Sequence, residues 1–435
     1  MRKLIPFIVL GGVLLYGCAT YDDAPTRPTY DATFPFTSIV SIGNSLTAGF
    51  QSGALFLDGQ NAPFGSLIAG QLNLGPQTHV NVNYPGISST PGYGRYELTF
   101  GASGPDLIAI PYDTVTFNPM PLLGNLDHPL PYTNLGVPGA LLQECLTVVD
   151  AATSLAGNSF FDFILRGIGT QLQQTIILQP DLATFWLGNN DILGYATSGG
   201  LSPMGPFGAD FATFYGLALD SVARYVDYVV VANIPDVTSI PYCTYIGTTY
   251  AGMQLYGEVQ GEVIALRAGE DYVLLPAKEE LAQGLGFSPL APLTNGVVLD
   301  ATEAELVINT TTEYNGVIAA TVAALNVGRA HPILLMDANG YFAELVQDGH
   351  IVNGILLTSD FISGGLFSLD GVHPGFVGYA LIANRFIETM NSGWSLAIEA
   401  VDVAEYLDQN PVFSPVAPEE LNLQVGFGET IRALF

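Results

Sequence analysis

The sequence predicts an α/β fold whose parallel sheet carries helices, and three features support that class. Short β-branched and apolar runs, beginning with FTSIVSI at residues 36–42, alternate with segments of helical period. Two of these runs empty into glycine-and-amide turns, Gly43-Asn44-Ser45 and Gly188-Asn189-Asn190-Asp191. No composition break or fixed-period repeat divides the chain, so residues 34–435 read as one domain with long insertions near 51–131 and 240–328. Open α/β sheets take ligands at their carboxyl edge, where the turn after residues 36–42 places the Ser45 hydroxyl. Ser45 is therefore a candidate nucleophile, although an ordinary turn serine has the same local sequence.

Composition narrows the function. Of the 435 residues 49% are hydrophobic, ample for a sizeable core. The net charge of -29 arises from 40 acidic residues against 11 basic ones, with only 12% charged overall, so lysine and arginine are scarce. No basic patch is present, which excludes nucleic-acid binding and disfavours docking to anionic lipid or acidic polysaccharide.

At the start, residues 1–18 have the form of a targeting segment. Arg2 and Lys3 precede an apolar stretch, residues 4–16, that is short for a bilayer span. Its end, Leu15-Tyr16-Gly17-Cys18, resembles the bacterial lipobox, in which the cysteine receives lipid. That resemblance implies a lipoprotein anchored through Cys18 to the outer membrane, on its periplasmic or cell-surface side. Residues 19–33 read as a flexible tether, whose Asp22 and Asp23 resemble the export signals of some Bacteroidota lipoproteins.

The stretch 51–131 is rich in proline and scattered aromatics, among them Phe56, Phe64, Tyr84, Tyr93, Tyr96, Tyr112 and Phe117. Within it, residues 63–74 open with proline and place Leu67, Ile68 and Leu72 at helical spacing. Long insertions beside a site usually shape it. Next, Asn134 to Gly139 (NLGVPG) precedes a helix-like start, where a glycine N–H can face an anion.

Residues 160–178 carry a helical apolar pattern, and 181–187 form the next strand. Asn190, in the turn after it, can donate into the crevice that holds Ser45, while Asp191 suits the cap of the following turn, a structural role. A helix over 210–225, a strand over 226–231, a helix near 313–325 and a strand over 332–336 follow.

Near the end, Asp370-Gly371-Val372-His373 places a carboxylate three residues before an imidazole on a loop, with Pro374 positioned to start a helix. Such a carboxylate fixes the imidazole tautomer and leaves the other nitrogen free as a base. An acid also precedes His128 (Asp127) and His350 (Asp348), but these two, with His79 and His331 at strand starts, read as structural, and His373 stands apart because it closes an ordered set of motifs. Cys145 and Cys243 sit in apolar sequence, where a disulfide and two buried thiols are both open, and no Cys/His spacing suggests zinc.

Taken in order, Gly43-Asn44-Ser45-Leu46, Asn134 to Gly139, Gly188 to Asp191 and Asp370 to His373 resemble the four blocks of the SGNH (GDSL-type) hydrolase family. That resemblance implies a three-layer α/β/α sandwich around a central parallel sheet, flavodoxin-like in strand order. It further implies Ser45 as nucleophile, His373 as general base and Asp370 as its orienter. The oxyanion donors would be the N–H groups of Ser45 and Gly139 and the side-chain amide of Asn190. Asn44 departs from the family, which usually has aspartate there. No Gly-x-Ser-x-Gly elbow occurs, so the α/β-hydrolase alternative has no anchor.

The function expected is a serine esterase or lipase that hydrolyses carboxylic esters through an acyl-enzyme, with no metal or cofactor. Carbohydrate acetylesterase activity on an acylated sugar is the alternative within the family. A non-catalytic binding or assembly lipoprotein that keeps the fold is the alternative outside it.

Overall fold

In the computed structural model, which describes residues 34–88, 94–101, 104–110, 123–206 and 208–409, the organising element is a parallel sheet. Its strands are β1 (Ile39–Gly43), β2 (Asn134–Gly136), β3 (Leu182–Trp186), β4 (Tyr228–Ala232) and β5 (Leu334–Met336). They lie in the order β5-β4-β3-β1-β2, which is flavodoxin-like. Gly43 stands level with Gly136 on one side and Trp186 on the other, so β1, β2 and β3 end together. The switch point of such a sheet lies between β1 and β3, where connections leave in opposite directions and open a crevice.

The strands are largely buried on both faces because helices cover both, and the polar pair Ser41 and Thr184 satisfies itself by a 2.9 Å hydrogen bond. These helices are α1 (Ser45–Ala48), α2 (Phe64–Gln71), α3 (Gln171–Leu178), α4 (Asn190–Thr197), α5 (Ala209–Ala223), α6 (Ala301–Leu325), α7 (Ala338–Asp348) and α8 (Phe376–Trp394). Successive strand residues point to opposite faces. Val40, Ile42, Phe185, Val229 and Val231 pack with α3, α4, α5 and α6. Ile39, Leu182, Trp186, Val230 and Ala232 pack with α2, α7 and α8. The result is the three-layer α/β/α sandwich.

Several elements differ from the sequence reading. The pattern over 160–178 is two helices, Phe160–Ile164 and α3. Arg166 and Gly167 turn left-handed between them, at φ 54° and 66°. The Arg166 guanidinium holds that turn by donating to the Leu126, His128 and Leu130 carbonyls. Thr170 then starts α3 with a reciprocal cap to Gln173. Helix α6 begins at Ala301 rather than near 313, because Asp300 and Glu303 form a second capping box.

The loop-rich regions also contain framework. Phe64–Gln71 belongs to a helix layer, with the Phe64 ring stacked 4.8 Å from that of Phe386 in α8. Residues 246–298 build a small satellite core from Ile246, Leu255, Leu266, Val273, Leu281, Leu293 and Val298. Pro374 does not open α8; Gly375 caps it and Phe376 is its first residue. Cys18, the segments 1–18 and 19–33, and Tyr93, Tyr112 and Phe117 lie outside the described residues.

Candidate active site

Ser45 sits at the carboxyl end of β1 as the first residue of α1. The turn that delivers it requires small residues. A Cβ on Gly43 would collide with the Thr47 side chain and the Trp186 carbonyl, and Gly49 closes α1 at φ +79° against Gly59. Asn44 caps the turn: its Oδ1 accepts the Leu46 N–H at 3.1 Å. Its Nδ2 is buried without a hydrogen-bond partner. The bond that Asn44 makes therefore uses the carbonyl-type oxygen that an aspartate shares.

The loop before α8 brings the other two groups to Ser45, 328 residues away in sequence. Ser45 Oγ lies 2.9 Å from His373 Nε2, and Asp370 Oδ2 lies 3.0 Å from His373 Nδ1. A carboxylate only accepts, so Nδ1 carries the proton and Nε2 accepts the Ser45 hydroxyl. Asp370 is fixed by three backbone donors as well: Val372 N–H and His373 N–H to Oδ1, and Gly53 N–H to Oδ2 at 2.8 Å. Burial acts to raise the Asp370 carboxyl. The adjacent His373 and the bonds it accepts outweigh that and hold it below the usual carboxylate range.

Sequence reasoning missed the supports of this relay. Ser52 and Gly53 turn left-handed at φ 52° and 77° and dock on the acid loop. Ser52 N–H donates to Ser368 Oγ at 2.8 Å. Phe50 places its ring 4.8 Å from the imidazole, and Tyr379 of α8 donates to the Phe50 carbonyl. No local pattern marks these residues, since their partners lie more than 300 positions away; only the paired glycine-bearing turns hint at an anchor.

Gly139 and Asn190 arrive from the neighbouring strands. Val137 N–H donates to the Gly43 carbonyl, so the turn after β2 leaves level with the Ser45 turn. Gly139 sits in it at φ +80° and is solvent-exposed. Asn190 opens α4, and its Nδ2 donates to the Ala140 carbonyl at 2.9 Å. That bond uses one of its two amide hydrogens and leaves the second. The fold thus gathers all five sequence-predicted residues on one edge of the sheet, with Gly139 and Asn190 cross-tied.

Asp191 differs from its expected role. It makes no cap bond to the turn that follows; its Oδ2 reaches back to accept the Leu142 N–H at 2.9 Å. Burial, with a smaller push from the Glu144 carboxylate, raises Asp191 to about 7 against the lowering effect of the Leu142 bond. Cys145 and Cys243 are both free and buried, so they form no bridge. The remaining histidines have structural settings: His79 Nδ1 is 2.8 Å from the Val80 carbonyl, His128 Nδ1 is 2.9 Å from the Leu130 carbonyl, His331 stacks on Tyr228, and His350 starts a hairpin strand.

Beside Ser45 opens a mostly apolar cleft. Its polar groups collect where Asn44, Ser45, Asn189, Asn190 and His373 meet. Beyond them the walls are apolar, with Leu193, Val237, Met336, Phe342, Leu345, Phe367 and Ile382 among them. This is the character of a pocket that buries an apolar group and holds one polar atom in place.

No curated protein matches the sequence. Among solved structures, an alpha/beta hydrolase enzyme from the metagenome of Lake Arreo, Spain, shares 14% identity at a TM-score of 0.37, over 82% of this chain and 97% of that one. A mutant acetyl-xylooligosaccharide esterase of Geobacillus stearothermophilus shares 11% identity at 0.37, over 84% and 100%. An acetyl xylan esterase variant of the same organism shares 12% at 0.36, over 83% and 95%. Family membership rests on the sequence: the model of the GDSL-like Lipase/Acylhydrolase family matches residues 39–386, well over half of the chain. This chain therefore belongs to the GDSL-like lipase/acylhydrolase family and is an ester hydrolase.

Proposed function

We propose that the protein is a serine esterase that cleaves carboxylic esters in two steps through an acyl-enzyme on Ser45. The observation that carries this reading is the hydrogen-bonded series Ser45–His373–Asp370 at the open edge of the sheet. In the first step Ser45 Oγ attacks the ester carbonyl carbon while its proton passes to His373 Nε2. The carbonyl oxygen becomes an oxyanion that the N–H groups of Ser45 and Gly139 and the free amide hydrogen of Asn190 receive. The bond to the alcohol then breaks, and His373 returns the proton to the departing oxygen. In the second step His373 takes a proton from water, the hydroxide attacks the acyl carbon, and Ser45 recovers its proton as the acid leaves. Asp370 stays ionised throughout and holds the imidazole in the tautomer that the first step needs.

A fatty acyl ester is the substrate class that the apolar walls beside Ser45 favour over an acetylated carbohydrate. The test uses p-nitrophenyl esters from acetyl to palmitoyl with the domain lacking residues 1–18, beside Ser45→Ala. Turnover that Ser45→Ala abolishes supports the reading. No turnover on any ester, with no labelling of Ser45 by a fluorophosphonate, would support the non-catalytic binding alternative.

The lipobox-like end of residues 1–18 supports, as part of this reading, a lipid anchor on Cys18 at the outer membrane. Incorporation of labelled palmitate into the full chain, abolished in Cys18→Ser, is the expected result; a soluble, unlabelled wild-type chain would exclude the anchor.

A further inference from the structure

The cleft beside Ser45 has a direction, and the sheet fixes it. Ser45 follows β1, Asn189 and Asn190 follow β3, Pro235 and Val237 follow β4, and Met336 ends β5, with Ala338 opening α7 just beyond. These line one continuous cleft across four neighbouring strands. Three interstrand steps of about 4.8 Å each make roughly 14 Å from the nucleophile to the far wall. An extended methylene chain with carbon–carbon bonds of about 1.5 Å advances roughly 1.25 Å per bond, so about ten to twelve carbons span that distance.

Helix α7 forms the roof. Its lining residues Ala338, Tyr341, Phe342 and Leu345 recur at three- and four-residue spacing and so share one face. Ala338, the smallest of them, is buried where β5 meets α7, three strands across the sheet from β1. The Phe342 ring meets that of Phe367 edge to face at 5.7 Å, and Phe367 is bridged to Pro374 beside His373. Phe342 therefore sits between the reacting centre and the far wall.

We propose that this cleft binds the acyl chain of the substrate extended from β1 to β5, that it accepts medium-length chains of about ten carbons, and that Ala338 and Phe342 set the length limit. The proposal rests on the serine-esterase reading. The amide, hydroxyl and imidazole side chains that line the cleft, those of Asn44, Ser45, Asn189, Asn190 and His373, gather at the Ser45 end, so the carbonyl is held at that end and the chain runs away from it.

The experiment measures kcat/KM of the wild-type domain, Ala338→Phe and Phe342→Ala on p-nitrophenyl acetate, butyrate, octanoate, decanoate and palmitate. Each buried methylene is worth about fourfold in kcat/KM, so the wild type should rise from acetate towards decanoate and fall at palmitate. Ala338→Phe fills the far wall and should lower the decanoate-to-butyrate ratio by about tenfold or more. Phe342→Ala widens the roof and should shift the optimum towards palmitate. A wild-type optimum at acetate, or an unmoved ratio in both variants, overturns the proposal. If Ala338→Phe does not fold, the shift in Phe342→Ala decides alone. Absence of wild-type turnover on every ester, with no fluorophosphonate labelling, is a different result, since it removes the esterase reading itself.

Discussion

The Leu142 backbone N–H donates to Asp191 Oδ2 across 2.9 Å, while Asn190, one residue before, donates to the Ala140 carbonyl across the same distance. Two bonds thus tie the turn that carries Gly139 to the first turn of α4, and the spacing of the two residues proposed as oxyanion donors is set by a buried carboxyl that the sequence assigned to a cap.

Because that carboxyl is raised to about 7, it makes stability pH-dependent. The unfolded chain ionises Asp191 from near pH 4, whereas the folded chain keeps it protonated until about 7. The folded state therefore binds the extra proton, and this group's contribution falls as pH rises from 4 to 7, then levels off. The ceiling on the loss is on the order of 4 kcal/mol. Asp191→Asn keeps an acceptor for Leu142 N–H and removes the titration. Urea unfolding at pH 5 and pH 8 should show wild type losing stability relative to the variant at the higher pH; parallel curves would refute the linkage.

Asp370 titrates in the opposite sense. Its carboxyl is held below its ordinary range, so the stability it contributes is complete above the unfolded value near 4 and is lost as pH falls through the folded one. Asp370→Asn keeps the size but presents an amide to His373 Nδ1. We expect kcat to fall by roughly 10³ to 10⁴, the loss seen when a triad carboxylate is replaced, with little change in KM. A loss confined to KM would mean that Asp370 does not orient the base.

Asn190→Ala removes the proposed oxyanion donor and the tie to Ala140 together. A loss of about 10²- to 10³-fold in kcat is expected from the donor. Asn190→Asp, which offers only acceptors, should be no better than alanine. Rescue by aspartate would show that Asn190 acts through packing.

Asn44 acts through its oxygen on the Leu46 N–H. Asn44→Ala should cost about 1 kcal/mol of stability in urea unfolding, the usual worth of such a cap. Asn44→Asp keeps the acceptor and should stay within tenfold of wild type in kcat/KM. A larger fall would assign the Nδ2 hydrogens a role.

The thiols offer a simple check. Burial raises both Cys145 and Cys243, the latter to about 12, which keeps them protonated and unreactive. In the domain lacking residues 1–33, a thiol reagent should find none in the native state and two after denaturation; an intramolecular disulfide would leave none in either.

The sequence by itself determined what is local. Residues 36–42 and 181–187 announce buried strands through short β-branched and apolar runs. Gly43 and Gly188 announce turns, and the ordered blocks around Ser45, Gly139, Asn190 and His373 carry the family. The break at Arg166 and Gly167 escaped the same reading because an apolar stripe continues across it, while a guanidinium bound to three distant carbonyls holds the turn. The capping box of Asp300 and Glu303 was legible and would have placed the start of α6.

Tertiary structure alone decided what depends on contacts across hundreds of residues. Gly53 N–H meets Asp370 Oδ2 over 317 positions, and no periodicity encodes that meeting. Asp191 became a buried tie because Leu142 is delivered by the turn after β2, which lies beyond β1 from β3. The apolar cleft beside Ser45 is lined from the ends of β1, β3, β4 and β5, which lie side by side, an adjacency that strand order creates and chain order conceals. Local sequence sets which backbone shapes are cheap, while burial and hydrogen bonding between distant segments choose which of those shapes face one another.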